Sequence, residues 1–142
     1  MPYRYTVTRQ VEFADTDMAG IVHFSAFFRY MESAEHAMFR ALGLSVVTNI
    51  DGAHFGWPRV RAECDYTAPL KFEDTIQIDL TVKEVRAKAL VLDFLFTKIE
   101  GDERREVARG AMTTVCVQRD AAGTMRSVPI PPQIADPLRG EA

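Results

Sequence analysis

The chain has only two cysteines, Cys64 and Cys116, far apart in the sequence. A disulfide framework or a zinc site needs more cysteines or tighter spacing, so both read as reduced, buried thiols inside strand patterns. No apolar run approaches the roughly 18 residues of a membrane span. The opening "MPYRYTVTRQ" lacks a basic segment followed by an apolar one, so no signal peptide is expected and the protein is assigned to the cytoplasm. Surplus positive charge is also missing. The net charge of −3 excludes the basic footprint of a general nucleic-acid binder, although a local Arg/Lys cluster would still suffice for a small anionic ligand. Internal repeats and low-complexity segments are absent.

What remains is an ordinary globular composition, 47% hydrophobic and 26% charged over 142 residues. That length fits one domain, residues 1–142, with a core over 1–128 and a Pro-containing tail over 129–142.

Most of the chain alternates with period two. In "YRYTVTRQVEFA", Tyr5, Val7, Val11 and Phe13 share one face, with Arg9 interrupting the pattern. In "RVRAECDYT", Val60, Ala62, Cys64 and Tyr66 are expected inward, with Arg59, Arg61, Glu63 and Asp65 solvated. "TIQIDLTVK" places Ile76, Ile78, Leu80 and Val82 inward. "ALVLDFLFTKI" is apolar on both faces and needs cover on both sides, with the helix and another subunit as the candidates for the second cover. "EVARGAMTTVCVQ" forms the last strand, and Pro129, Pro131 and Pro132 are expected to end regular structure.

One segment breaks the rhythm. Phe27, Met31, Ala34, Met38 and Ala41 recur at steps of four and three, the signature of a helical face, opposite Arg29, Ser33, His36 and Arg40. Ser25 is the expected N-cap and Gly43 the left-handed stop. The architecture is therefore α+β: a strand, one long helix, then about four antiparallel strands.

Asp15 and Asp17, in "ADTDMAGIVHF", fall in the turn that feeds this helix. Asp is a good turn residue, and Asp15 suits that role better. A calcium loop fails, because Ala19 and Ala26 occupy the fifth and twelfth positions, where ligands are required. Alternatively, a carboxylate beside a helix N-terminus forms half of an acyl-transfer site. Free N–H groups stabilise the developing oxyanion, and the carboxylate attacks the carbonyl or activates water. Walls of Ile21, Val22, Phe24 and Phe27 exclude water and strengthen both effects. Residue types alone leave the turn and catalytic readings both standing.

The stretch "FADTDMAGIVHFSAFFRYMESAEHAMFRALGL" resembles the signature of hotdog-fold acyl-CoA thioesterases of the 4-hydroxybenzoyl-CoA thioesterase and YbgC-like group. The likeness covers the turn and the whole helix without a gap, and the strand pattern fits over nearly the entire chain. It implies a hotdog fold, a long central helix wrapped by a curved antiparallel sheet of about five strands, pairing through strand edges into homodimers and often homotetramers. It places the catalytic carboxylate on Asp17 and the N–H that polarises the thioester carbonyl on Phe24. Asp15 becomes structural, and Gly20 lets the backbone turn beneath the substrate.

His23-Phe24 departs from the Tyr-His pair frequent in YbgC-like members and half matches the aromatic pair of the aryl branch, which is favoured here. His23 lines the acyl pocket on this reading, or is a packed, hydrogen-bonded histidine. Glu32 aligns with an acidic residue near the aryl-branch site, yet as an exposed helix acid beside Arg29 it needs no function. Glu35 and His36 read the same way. His54 and Trp57 suit ordinary loop packing or a cover for the acyl pocket. By rough alignment Lys88, Arg126 and Arg86 are the candidate contacts for coenzyme A phosphates.

The expected reaction is hydrolysis of an acyl-CoA to a carboxylic acid and free coenzyme A, with no metal or redox cofactor and no nucleic-acid or membrane partner. Acyl carrier protein thioesters and a non-catalytic acyl-CoA-binding module are the alternatives. Hotdog hydratases use an Asp/His pair on a different loop motif, which this chain lacks.

Overall fold

The computed structural model describes residues 2–140. Strand β1 (Arg4–Gln10) leads through a 3-10 turn (Phe13–Asp15) and an irregular loop to helix α1 (Ala26–Ala41). Two short strands follow, β2 (Thr48–Ile50) and β3 (Ala53–Gly56), then β4 (Arg59–Tyr66) and the long strands β5 (Thr75–Val85), β6 (Ala89–Glu100) and β7 (Glu103–Val115). The chain closes with β8 (Val117–Arg119), β9 (Met125–Ser127) and helix α2 (Pro132–Leu138).

The main sheet has five antiparallel strands in the order β1-β5-β6-β7-β4, and α1 packs on its inner face. This is the expected hotdog arrangement. Period-two alternation explains why the sheet closes over the helix. Ile76, Ile78, Leu80 and Val82 of β5 and Leu90, Leu92, Phe94 and Phe96 of β6 are buried, and so are Phe27, Tyr30, Met31, Ala34 and Met38 of α1. Helix and sheet approach closely at Gly110 on β7, where a β-carbon would overlap the methyl of Met31. Gly43 closes α1 at φ +76°, the left-handed conformation expected of it.

Several expectations need correction. Phe13 is exposed, because the strand ends at Gln10 and the 3-10 turn rotates its ring outward against Phe72. Val60 is exposed because a register shift between Arg59 and Arg61 leaves it without a partner on β7, and Ala62 and Tyr66 are exposed and Cys64 only half-buried because β4 is an edge strand. The same shift turns Arg59 toward the helix, away from the solvated face assigned to it. Ala41 is exposed in the last turn of α1. Ser25 makes no side-chain cap, and its hydroxyl instead meets Nδ1 of His23 at 2.7 Å.

The prolines do not end regular structure. Pro132 opens α2, where Pro is favoured because its missing N–H has no helical partner to lose, and Ile134, Ala135 and Leu138 join the core beyond residue 128. The final two residues of the tail lie outside the described residues. A small second sheet, β2-β3-β8-β9, was not anticipated. Cys116 is buried, and neither cysteine is paired. None of the described helices is long and apolar enough to cross a membrane.

Candidate active site

The loop between β1 and α1 is built on Asp15. Its carboxylate is buried and accepts from the Tyr30 hydroxyl at 2.9 Å and from the Glu12 N–H at 2.9 Å, with the Arg29 guanidinium at 3.4 Å. Burial alone would raise its pKa. The Glu12, Tyr30 and Arg29 hydrogen bonds, with the positive charge of Arg9, outweigh burial and hold the carboxyl below its ordinary range. Arg9 also lies over the Tyr30 ring, 4.8 Å from its centroid, and donates to Ser33 at 2.9 Å. The Asp15 carbonyl in turn accepts from the His23 N–H at 2.8 Å. Asp15 therefore ties the loop to the helix and presents no free oxygen to a substrate.

Asp17 differs. It is half-buried, and Oδ1 accepts from the Ala19 N–H at 2.8 Å, an Asx-type turn. Its other oxygen has no hydrogen-bond partner among the described residues. The Asp17 backbone is held on both sides: its N–H donates to Ile21 at 2.9 Å and its carbonyl accepts from Gly20 at 3.0 Å. Gly20 adopts φ +83°, and nothing lies within 4 Å of a β-carbon placed there. The turn thus demands glycine for backbone conformation, not for space.

Asp17 opens into a cleft of about 540 Å3 lined by Ile21, Val22, Phe24, Phe27, Tyr66, Ala68, Pro69 and Leu70. The far wall is fastened to the loop by the Val22 N–H, which donates to the Leu70 carbonyl at 2.8 Å. Phe24 stands two residues before α1, and no described residue accepts its N–H. Asp17, whose carboxylate keeps a free oxygen, and Phe24, whose N–H at the helix start is unpaired, thus line one largely apolar cleft. That pairing is the minimal apparatus for attack on a thioester carbonyl.

The other expected site residues separate from this cleft. His23 does not line it; its ring stacks on Phe24 at a centroid distance of 4.4 Å, and its Nδ1 accepts from the Ser25 N–H at 3.3 Å. Glu32 lies on the exposed side of α1, 3.5 Å from Arg59. Glu35, expected as an exposed acid, is fully buried and bonded to Arg59 at 2.7 Å, while His36 is half-buried beside it at 3.7 Å. Trp57 is buried against Phe39, and His54 is exposed on β3, so neither covers the cleft.

Lys88, Arg86 and Arg126 are distant. Asp17 lies at the Thr75 end of β5, where Val11 bonds Asp74 and Val22 bonds Leu70, whereas Lys88 follows the Val85 end. Eleven residues of strand separate the two ends, on the order of 30 Å. Arg126 accompanies Lys88, since Cys116 bonds both the Lys88 carbonyl and the Val128 N–H beyond β9. Arg86 is paired with Glu84 at 2.9 Å.

Sequence reasoning missed Tyr66, Ala68, Pro69 and Leu70 as cleft walls. They meet the loop across more than forty residues of chain, and alternation assigns a strand face without saying what lies opposite.

A family model described as the thioesterase-like superfamily matches residues 11–138. The chain is 29% identical over 127 residues to a 1,4-dihydroxy-2-naphthoyl-CoA hydrolase of Synechocystis sp., covering 89% of this chain and 88% of that one. Among solved structures, an aspartate-to-asparagine mutant of 4-hydroxybenzoyl CoA thioesterase complexed with 4-hydroxybenzoyl CoA superposes with a TM-score of 0.79 at 25% identity, over 90% of this chain and 93% of that one. A gentisyl-coenzyme A thioesterase superposes with a TM-score of 0.77 at 31% identity, over 92% and 98% of the two chains.

Proposed function

The chain belongs to the thioesterase-like superfamily, and on that premise we propose that it is a cytoplasmic, single-domain enzyme hydrolysing aryl-CoA thioesters. One observation carries the reading: Asp17, with its free carboxylate oxygen, and Phe24, with its unpaired N–H, line the same apolar cleft. The thioester carbonyl accepts from the Phe24 N–H, which stabilises the oxyanion as the carbon becomes tetrahedral. Asp17 acts as nucleophile, releasing coenzyme A thiolate and leaving an anhydride for water to open. As general base, it instead takes a proton from the attacking water. Both routes consume one water and yield a carboxylic acid and coenzyme A. The reading calls on no metal or redox cofactor. A hydroxyaryl acyl group is favoured by the aromatic walls Phe24, Phe27 and Tyr66 and by the hydroxyaryl substrates in the names of the relatives.

Lys88 and Arg126 reach a coenzyme A bound at Asp17 only from a second copy. Edge strand β4, with Val60 exposed at 64%, is the surface along which two copies pair. Antiparallel pairing there brings the Lys88 end of one sheet toward the Asp17 end of the other.

The test is thiol release from aryl-, short-chain and long-chain acyl-CoAs by wild type and Asp17→Asn. Turnover greatest with aryl-CoA, falling roughly 10²- to 10⁴-fold in the variant with fold intact, is expected. Absence of turnover on every CoA ester, with turnover on acyl carrier protein thioesters, would move the reading to that substrate. Tight binding with no turnover of either would leave a binding module.

A further inference from the structure

Phe24 has a feature at odds with its importance in this reading: its side chain is 62% exposed. Apart from the His23 ring stacked on it, little packing holds Phe24, so its backbone depends largely on hydrogen bonds. Those on either side are in place. His23 donates to the Asp15 carbonyl at 2.8 Å, Ser25 to the His23 ring at 3.3 Å, and Ala26 to the His23 carbonyl at 2.9 Å. The Phe24 carbonyl itself accepts from the Tyr66 hydroxyl at 2.9 Å. Tyr66 ends edge strand β4, and this bond joins the sheet directly to the residue whose N–H faces the thioester.

We propose that Tyr66 is a positioning residue for the thioester-polarising donor: its bond holds the Phe24–Ser25 peptide while the Ala26 N–H holds the His23–Phe24 peptide through the His23 carbonyl, so the two together restrict the φ and ψ of Phe24 and steady its N–H. The inference rests on the assignment of that N–H to the thioester carbonyl. The tyrosine ring is itself well held. It packs edge-on to Phe27 at 5.1 Å, and Phe27 packs edge-on to Phe96 at 5.3 Å and to Tyr30 at 5.8 Å. Core aromatics thereby set the hydroxyl, and the hydroxyl sets the loop. Burial, chiefly, pushes the Tyr66 pKa up to about 12, so the O–H remains a donor through the range in which a thioesterase works. The same ring forms a wall of the cleft, so removing the hydroxyl and removing the ring have separable consequences.

The experiment compares Tyr66→Phe and Tyr66→Ala with the parent. The readouts are kcat, KM and the carbonyl stretch of a carbon-13-edited aryl-CoA bound to the same variants in the Asp17→Asn background. In Tyr66→Phe, kcat is expected to fall roughly five- to tenfold, the share of one net hydrogen bond, with KM within about twofold. The carbonyl stretch should move up toward its value in free ligand. Tyr66→Ala should raise KM as well. A Tyr66→Phe variant with parental kcat and stretch overturns the proposal, and so does a fall in kcat with an unmoved stretch. A stretch already at the free value in the Asp17→Asn parent overturns the Phe24 donor and the proposal with it. Full turnover by Asp17→Asn alone sinks only the role of Asp17.

Discussion

Glu35 and Arg59 form an ion pair of 2.7 Å inside the helix–sheet core, yet Oε2 of Glu35 has no hydrogen-bond partner among the described residues. The groups facing the carboxylate are Arg59 from β4, with Glu32 and His36 from its own helix. Arg59 also donates to the Trp57 carbonyl at 3.0 Å, so the pair ties α1 to the start of the edge strand.

This geometry predicts a stability that depends on pH. Burial pushes the Glu35 carboxyl up to about 7, against the opposing pull of Arg59 and with a further push from Glu32. Between the ordinary glutamate range near 4.5 and pH 7, the folded protein holds a proton that the unfolded chain has released. The contribution of Glu35 is therefore fully present below about 4.5 and is lost as pH rises through 7, a change of about 3 kcal/mol. Urea unfolding from pH 4.5 to 8 should show that slope in wild type and lose it in Glu35→Gln. Parallel curves for the two proteins would refute the assignment.

Asp15 predicts the opposite limb. Its carboxyl is held low, so its contribution is present above the ordinary value of 3.8 and is lost as pH falls below it. Asp15→Asn should cost about 1–3 kcal/mol at pH 7, because the Glu12 N–H, the Tyr30 hydroxyl and Arg29 lose a charged acceptor. Stability should suffer more than catalysis in this variant, and the reverse should hold for Asp17→Asn. Equal losses of kcat in the two would show that the loop, and not one carboxylate, governs turnover.

Gly20 separates conformation from crowding. With φ at +83° and open space where a β-carbon would go, Gly20→Ala should cost about 1–2 kcal/mol by backbone strain. Gly20→Asn should cost less, since asparagine tolerates the left-handed region. The urea midpoint at unchanged slope measures both. Equal losses for Ala and Asn would point to a contact absent from this structure.

How much of this was legible beforehand differs by element. β5 and α1 are legible because each has one buried face and a clean period; β6 is legible as a strand but reads as apolar on both faces, whereas the structure fully buries only the face of Leu90, Leu92, Phe94 and Phe96; and the Asp15–Asp17 turn is visible as a motif at a strand–helix junction. β4 misled: its alternation is as regular as that of β5, but an edge strand has less to bury its inner face against. Glu35 reads as exposed in the sequence because a lone acid beside polar neighbours looks solvated. Its burial depends on Arg59, 24 residues away, turned inward by a register shift that alternation does not reveal. Tyr66 escaped for the same reason, since its bond to Phe24 spans 42 residues.

The distance between Asp17 and Lys88 supplies the last prediction. Within one chain the two lie at opposite ends of β5, so a substrate gripped by both is held by two subunits. On the roles proposed above, an Asp17→Asn subunit loses the catalytic carboxylate but keeps its cationic end, and a Lys88→Ala/Arg126→Ala subunit has the converse defect. Each homo-oligomer should be impaired, the first in kcat and the second in KM. Unfolding and refolding the two together should restore roughly a quarter of the wild-type rate at low substrate, because half of random dimers are mixed and each mixed dimer carries one complete site. If the cations served the site of their own chain, the mixture would give no complete site that wild-type Asp17 and Lys88 share, and no activity beyond the sum of the two parents would return.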